Sequence, residues 1–188
     1  MINAKLLKPK VLKELQQGFK ENNPRGVQVQ GFMDAESYKK FLAAIAKVEF
    51  KKAEVRDMHS FFEAKHIALK WFGSREFLSF ASAVVGKKLA KAKYSLRIFM
   101  AGCYTLMHDK AQKGIEFYFD LTPQWEPDWG GATFFVTEEG QKLMIPPTPN
   151  NLVVAEASRS YVKYVNHLAG GEGRLVVYGV LKYSKLSK

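Results

Sequence analysis

The chain is poor in cysteine. Cys103 is the only one in 188 residues, which excludes an intrachain disulfide. No apolar run is long enough to span a bilayer, which removes the membrane as an expected partner. The opening Met-Ile-Asn-Ala-Lys-Leu-Leu-Lys-Pro-Lys lacks the apolar core of a secretory signal. A reducing, cytoplasmic location is therefore expected. Acidic residues are also scarce: 18 Asp and Glu stand against 29 Lys and Arg, a net charge of +11. Such an excess favours polyanionic partners, namely RNA, ribosomes or acidic proteins. No nucleic-acid motif accompanies the lysines, which are spread over Lys5 to Lys13, Lys87 to Lys93 and Lys182 to Lys188. A lysine-rich surface that keeps the chain soluble is the plainer reading. Internal repeats and low-complexity linkers are missing too, so one domain over 1–188 is expected, with 47% hydrophobic residues to fill its core.

What is present divides near residue 90. Val11, Leu12, Leu15 and Phe19 recur at helical spacing and predict an amphipathic helix over 9–20, broken by Asn22-Asn23-Pro24-Arg25-Gly26. Val27 to Phe32 alternates as a short strand, and Asp34 is placed to cap a second helix with Tyr38, Phe41, Leu42, Ile45 and Val48 inside. A strand and a loop are expected over 49–60. Ser74 caps a third helix that stops at Gly86. His59 and His66 lack an acid or cysteine at a helical interval, so they read as ordinary surface or core histidines. Eight strand-like segments with turn residues between them then follow: 94–100, 103–108, 115–121, 132–137, 142–145, 151–156, 161–167 and 174–183. A helical support region over about 1–90 and a strand-rich core over about 91–188 predict an α+β protein with a mainly β core. The expected form is a double-stranded β-helix, or jelly roll, braced by N-terminal helices.

The order of these segments resembles the Fe(II)/2-oxoglutarate dioxygenases, in particular the prolyl-hydroxylase branch that includes the ribosomal-protein prolyl hydroxylases. The residues that carry the resemblance are Gly31-Phe32-Met33-Asp34, Ser95-Leu96-Arg97, Gly102 through His108, Phe117 through Trp125, Trp129-Gly130-Gly131-Ala132, Pro149-Asn150-Asn151 and Gly173-Arg174-Leu175. The resemblance implies iron held by His-x-Asp and a distant His, with a basic residue further on that takes the far carboxylate of 2-oxoglutarate. Two imidazoles and a carboxylate on one face of the iron leave room for the oxoacid and O₂.

On that resemblance His108 matches the first ligand and Arg174 the oxoglutarate-binding arginine, while Tyr104 and Tyr118 lie where tyrosines line the co-substrate pocket. The acid position, however, holds Lys110, and the distal-histidine position holds Lys163. A protonated lysine has no lone pair for a metal, and its charge repels one. Two residues could restore a ligand set. Asp109 would serve if a bulge shifted the strand by one residue. His167 shares a face with Lys163 on a regular strand, but lies on the order of 13 Å further along.

Two functions follow as expectations. In the first, the chain is a degenerate member that binds a protein or peptide partner, or a small anion such as 2-oxoglutarate, without iron. In the second, it is an active prolyl hydroxylase using Fe(II) and 2-oxoglutarate, with His108 joined by Asp109, His167 or both as unconventional ligands. If Lys110, Lys163 and Arg174 all face inward, something anionic must offset them. Glu156 and Asp120 are the candidate counter-ions, and a bound anion is the third. Trp125 and Trp129 either pack the loop around Gly130-Gly131 or border a peptide entrance.

Overall fold

In a computed structural model, residues 1–55, 58–106, 114–157 and 161–184 are described. The helices are α1 (Pro9–Glu21), α2 (Ala35–Ile45) and α3 (Arg75–Val85). The strands are β1 (Gly26–Gln30), β2 (Lys51–Val55), β3 (His59–Ala64), β4 (Leu89–Phe99), β5 (Tyr104–Thr105), β6 (Gly114–Asp120), β7 (Thr133–Thr137), β8 (Lys142–Ile145), β9 (Asn151–Ala157), β10 (Tyr161–Val165) and β11 (Arg174–Tyr183). They pair antiparallel in the order β1-β9-β6-β11-β4-β3-β5-β10-β7-β8, with β2 added to β3. The path curls back on itself into the double-stranded β-helix expected from the sequence.

Local chemistry sets the helix ends. Pro9 occupies the first turn of α1, where its missing N–H is not needed. The Ser74 hydroxyl accepts from the Phe77 N–H at 3.3 Å, and Gly86 closes α3 at a left-handed φ of 74°. The Asp34 carboxylate caps α2 by accepting from the Ser37 N–H at 2.8 Å. That backbone bond holds the Asp34 carboxyl below its ordinary value. The cap therefore stabilises the protein fully above the ordinary aspartate range, and its contribution disappears as pH falls through the lowered folded value. Asp34→Ala should lower the melting temperature by a few degrees at neutral pH. The wild-type and variant curves should converge in acid, and a gap that persists there in a thermal melt series would contradict the charged cap.

Strand alternation separates two cores. Along β6, Ile115, Phe117 and Phe119 meet the helices, where Phe117 stacks on Phe72 at 5.2 Å and packs on Phe77 at 5.0 Å. Leu152 and Val154 of β9 and Val177 and Leu181 of β11 share this side. Tyr118 faces the other way, into a second core inside the roll with Val153, Val176, Phe135, Tyr161 and Val165. All seven β6 residues are buried, because helices cover one face and β7, β8 and β10 the other.

Several boundaries differ from expectation. The region after Glu49 forms a two-strand hairpin, β2–β3, because β3 finds a ladder on β4 as well as on β2. β10 stops at Val165, so His167 lies beyond the strand that had been extended to it. Of the predicted strand over 103–108 only Tyr104–Thr105 is described as β, and the part carrying His108 falls outside the described residues.

Candidate functional site

A cavity of about 830 Å³ opens inside the roll. Arg97, Thr105, Tyr118, Lys163, Arg174 and Tyr178 are among its lining residues. Strand alternation brings them together: Tyr118 from β6, Arg174 and Tyr178 from β11, Arg97 from β4, Lys163 from β10. Lys163 stands between the buried Tyr161 and Val165 on the inner face of β10.

Lys163 is paired. Its ammonium donates to Glu116 Oε2 at 2.5 Å and to the Tyr178 hydroxyl at 3.3 Å. The Tyr118 hydroxyl donates to the same Glu116 oxygen at 2.7 Å, and the Tyr178 hydroxyl donates to Glu116 Oε1 at 3.2 Å. One carboxylate thus gathers an ammonium and two phenols. Burial pushes the Tyr178 hydroxyl above its ordinary value, with the Lys163 charge pulling the other way, so it remains a proton donor at neutral pH. The counter-ion of Lys163 is therefore Glu116, and of the two anticipated counter-ions Asp120 serves Arg174 while Glu156 serves neither. Glu116, Tyr118 and Asp120 alternate with the apolar β6 residues, and this period of two is the signal that could have found Glu116 in the sequence. Glu156 instead faces Arg25 at 3.5 Å near the end of β9.

Arg174 is more deeply enclosed, at 1% exposure. Its Nε donates to Asp120 Oδ2 at 2.9 Å, and its Nη1 donates to the Gly131 carbonyl at 2.8 Å and to Thr133 Oγ1 at 2.7 Å. Asp120 Oδ1 accepts from the Thr122 N–H at 3.0 Å. Burial pushes the Asp120 carboxyl up, against the opposing pull of Arg174 and Thr122. Gly131 has to be glycine here: its φ is 78°, and a Cβ would stand 2.7 Å from Leu168 Cδ1.

The other anticipated residues are dispersed. Tyr104 is half-buried on β5 and does not line the cavity, whereas its neighbour Thr105 does. His167 is exposed on the loop after β10 and lies outside the cavity lining. His108, Asp109 and Lys110 fall outside the described residues. Trp125 donates its indole N–H to the Gly130 carbonyl at 2.6 Å, and Trp129 packs against Gly170 and Gly171, so both brace the loop around Gly130-Gly131. His66 caps the 3₁₀ turn that follows it, its Nδ1 accepting from the Ala68 N–H at 3.2 Å. His59 stacks on Phe61 at 5.0 Å. Arg97, Glu116 and Tyr178 are the site residues that sequence reasoning missed.

Among the described residues no three His, Cys, Asp or Glu side chains converge as a metal would require. Lys163, in the place the resemblance gives to a histidine, offers an ammonium already held by Glu116.

No family model matches the chain. The fold is that of the 2-oxoglutarate/Fe(II) oxygenases, of the prolyl-hydroxylase type. A Trichoplax adhaerens prolyl hydroxylase, solved with a hypoxia-inducible-factor peptide fragment, superimposes with a TM-score of 0.76 at 14% identity, covering 95% of this chain and 93% of that one. A Pseudomonas putida prolyl-4-hydroxylase does so with a TM-score of 0.72 at 15% identity, covering 92% and 99%. In sequence, the chain is 32% identical over 80 residues to prolyl 3-hydroxylase OGFOD1 of Mus musculus. That match covers 39% of this chain and 14% of the mouse protein. No helix among the described residues is long and apolar enough to cross a membrane.

Proposed function

We propose that the protein is a degenerate prolyl-hydroxylase-type member that works without iron, as a cytoplasmic module binding a protein or peptide partner, or a small anion. The observation that carries this reading is the Lys163–Glu116 ion pair, closed by Tyr118 and Tyr178 inside the roll. An ammonium there excludes a cation from its neighbourhood by charge, and its own carboxylate satisfies it without one. Lys110 adds a second lysine, by sequence, at the position the resemblance gives to the acid ligand. The net charge of +11 favours an acidic partner, with RNA or a ribosomal surface as the nucleic-acid form of the same preference.

The test is an anaerobic calorimetric titration of the purified protein with Mn(II) or Fe(II), with and without 2-oxoglutarate. No stoichiometric metal binding is expected under either condition. Tight one-to-one metal binding strengthened by 2-oxoglutarate would overturn the reading in favour of an active Fe(II)/2-oxoglutarate prolyl hydroxylase. His108, Asp109 and His167 would then be the residues to substitute.

A further inference from the structure

Among the described residues, two deep cations of the cavity are hydrogen-bonded by a carboxylate and a third is not. Lys163 is held by Glu116 and Arg174 by Asp120. Arg97 also lines the cavity, yet among the described residues it makes no hydrogen bond, and its Nε is a buried donor without an acceptor. Glu63, its cross-strand neighbour on β3, comes no closer than 3.8 Å, beyond hydrogen-bond range. What holds Arg97 in place is aromatic: the guanidinium carbon lies 4.5 Å from the Phe61 ring centroid and 4.0 Å from that of Tyr178. The Nε is enclosed, but the side chain as a whole is 22% exposed, so a guanidinium fixed by rings at the cavity wall keeps its Nη groups for an acceptor.

The surroundings favour an anion there. Lys65 and Lys93 are exposed lining residues, and Ser95 and Thr105 supply hydroxyls. Glu63 is the only acidic residue among the described lining residues. A guanidinium pinned against rings has lost its rotamer freedom before binding, so little ordering entropy opposes the ligand. Its fork matches a carboxylate through two parallel N–H bonds. The two completed pairs in this cavity, at Lys163 and Arg174, also use carboxylates.

We propose that Arg97 is the anchor of a carboxylate-binding site in this cavity, taking either a small dicarboxylate or the acidic side chain of a peptide. The inference rests on the reading of the cavity as an iron-free site for an anion or a partner. It assigns the anchoring role to Arg97 instead of Arg174, whose Nε and Nη1 are already committed inside the protein.

The experiment is metal-free calorimetry on the full chain with three probes: succinate, inorganic phosphate and a blocked triglutamate peptide. The wild type should bind succinate, the peptide or both, and phosphate more weakly than either carboxylate that binds. Arg97→Met keeps the stem against the rings and should weaken carboxylate binding by about tenfold or more. Arg97→Lys keeps the charge without the fork and should fall between the two. Glu63→Gln should tighten binding by removing the nearest competing carboxylate, a response that a merely structural arginine would not give. A peptide that binds more tightly than succinate identifies an acidic peptide as the source, and the reverse order identifies a small dicarboxylate; either supports the site. The proposal is overturned if neither carboxylate binds, if Arg97→Met binds them unchanged while its melting curve stays intact, or if phosphate binds as well as they do. Repeating the titration with Mn(II) present separates the two readings. Metal binding with Arg97-dependent carboxylate binding would remove the iron-free reading and leave the anchor. Absence of both would remove the anchor alone.

Discussion

Asp120→Ala should destabilise the protein by about 3–5 kcal/mol, the range for breaking one side of a buried ion pair. The pair is among the most enclosed polar features of the fold: the Arg174 and Asp120 side chains are 1% and 4% exposed. Removal of the carboxylate leaves a guanidinium in the roll with only the Gly131 carbonyl and the Thr133 hydroxyl as acceptors. It also strips the Thr122 N–H of its acceptor. Small proteins hold together by roughly 5–15 kcal/mol, so a loss of this size takes a large part of the total. Chemical denaturation would measure it as a fall in midpoint at constant slope. The double variant Asp120→Leu with Arg174→Met should recover most of the loss, because no unpaired charge remains. If Asp120→Ala came within about 1 kcal/mol of wild type, the buried pair would not be charged as described.

Glu116→Ala should cost about 3 kcal/mol, toward the lower end of the same range. The difference from Asp120 lies in access: Lys163 is 16% exposed at the cavity wall, so water can take part of its ammonium once the carboxylate is gone. The substitution also leaves the Tyr118 hydroxyl without the acceptor at 2.7 Å and the Tyr178 hydroxyl without the one at 3.2 Å. A double-mutant cycle with Lys163→Met isolates the pair from the phenols. The expected result is a positive coupling between positions 116 and 163 of more than about 1 kcal/mol, read from urea denaturation. A coupling near zero would mean that Lys163 is already hydrated in the wild type and that the ion pair adds nothing to stability.

These two pairs satisfy deep cations of the cavity from within the fold. Of the three cations that the resemblance placed at ligand or co-substrate positions, the two described ones, Lys163 and Arg174, face carboxylates from β6, four residues apart on one inner face. Strand alternation explains this directly: Glu116 and Asp120 lie an even number of residues apart, so both point into the roll with Tyr118 between them. The helix-facing residues of the same strand, Phe117 and Phe119, fill the aromatic core with Phe32, Phe72 and Phe77. A single strand thus carries both the packing that fixes the fold and the charges that fix the site.

The architecture was legible because it depends on local rules. Helical spacing at Val11, Leu12, Leu15 and Phe19, side-chain caps at Asp34 and Ser74 and the glycine stop at Gly86 each act within a turn or two of chain. β8 and β11 match the segments read at 142–145 and 174–183. What the sequence by itself determined was therefore the jelly-roll order, the brace of helices and the presence of basic residues where the resemblance puts cofactor contacts. The tertiary structure alone decided who neutralises whom. Glu116 meets Lys163 across 47 residues of chain, and Asp120 meets Arg174 across 54. Arg97 finds Phe61 on β3 and Tyr178 on β11 only because β4 lies between those strands in the sheet. The reason is physical: charge pairing and ring contact act over a few ångströms in space, and only the folded sheet order brings residues so distant in sequence within that reach.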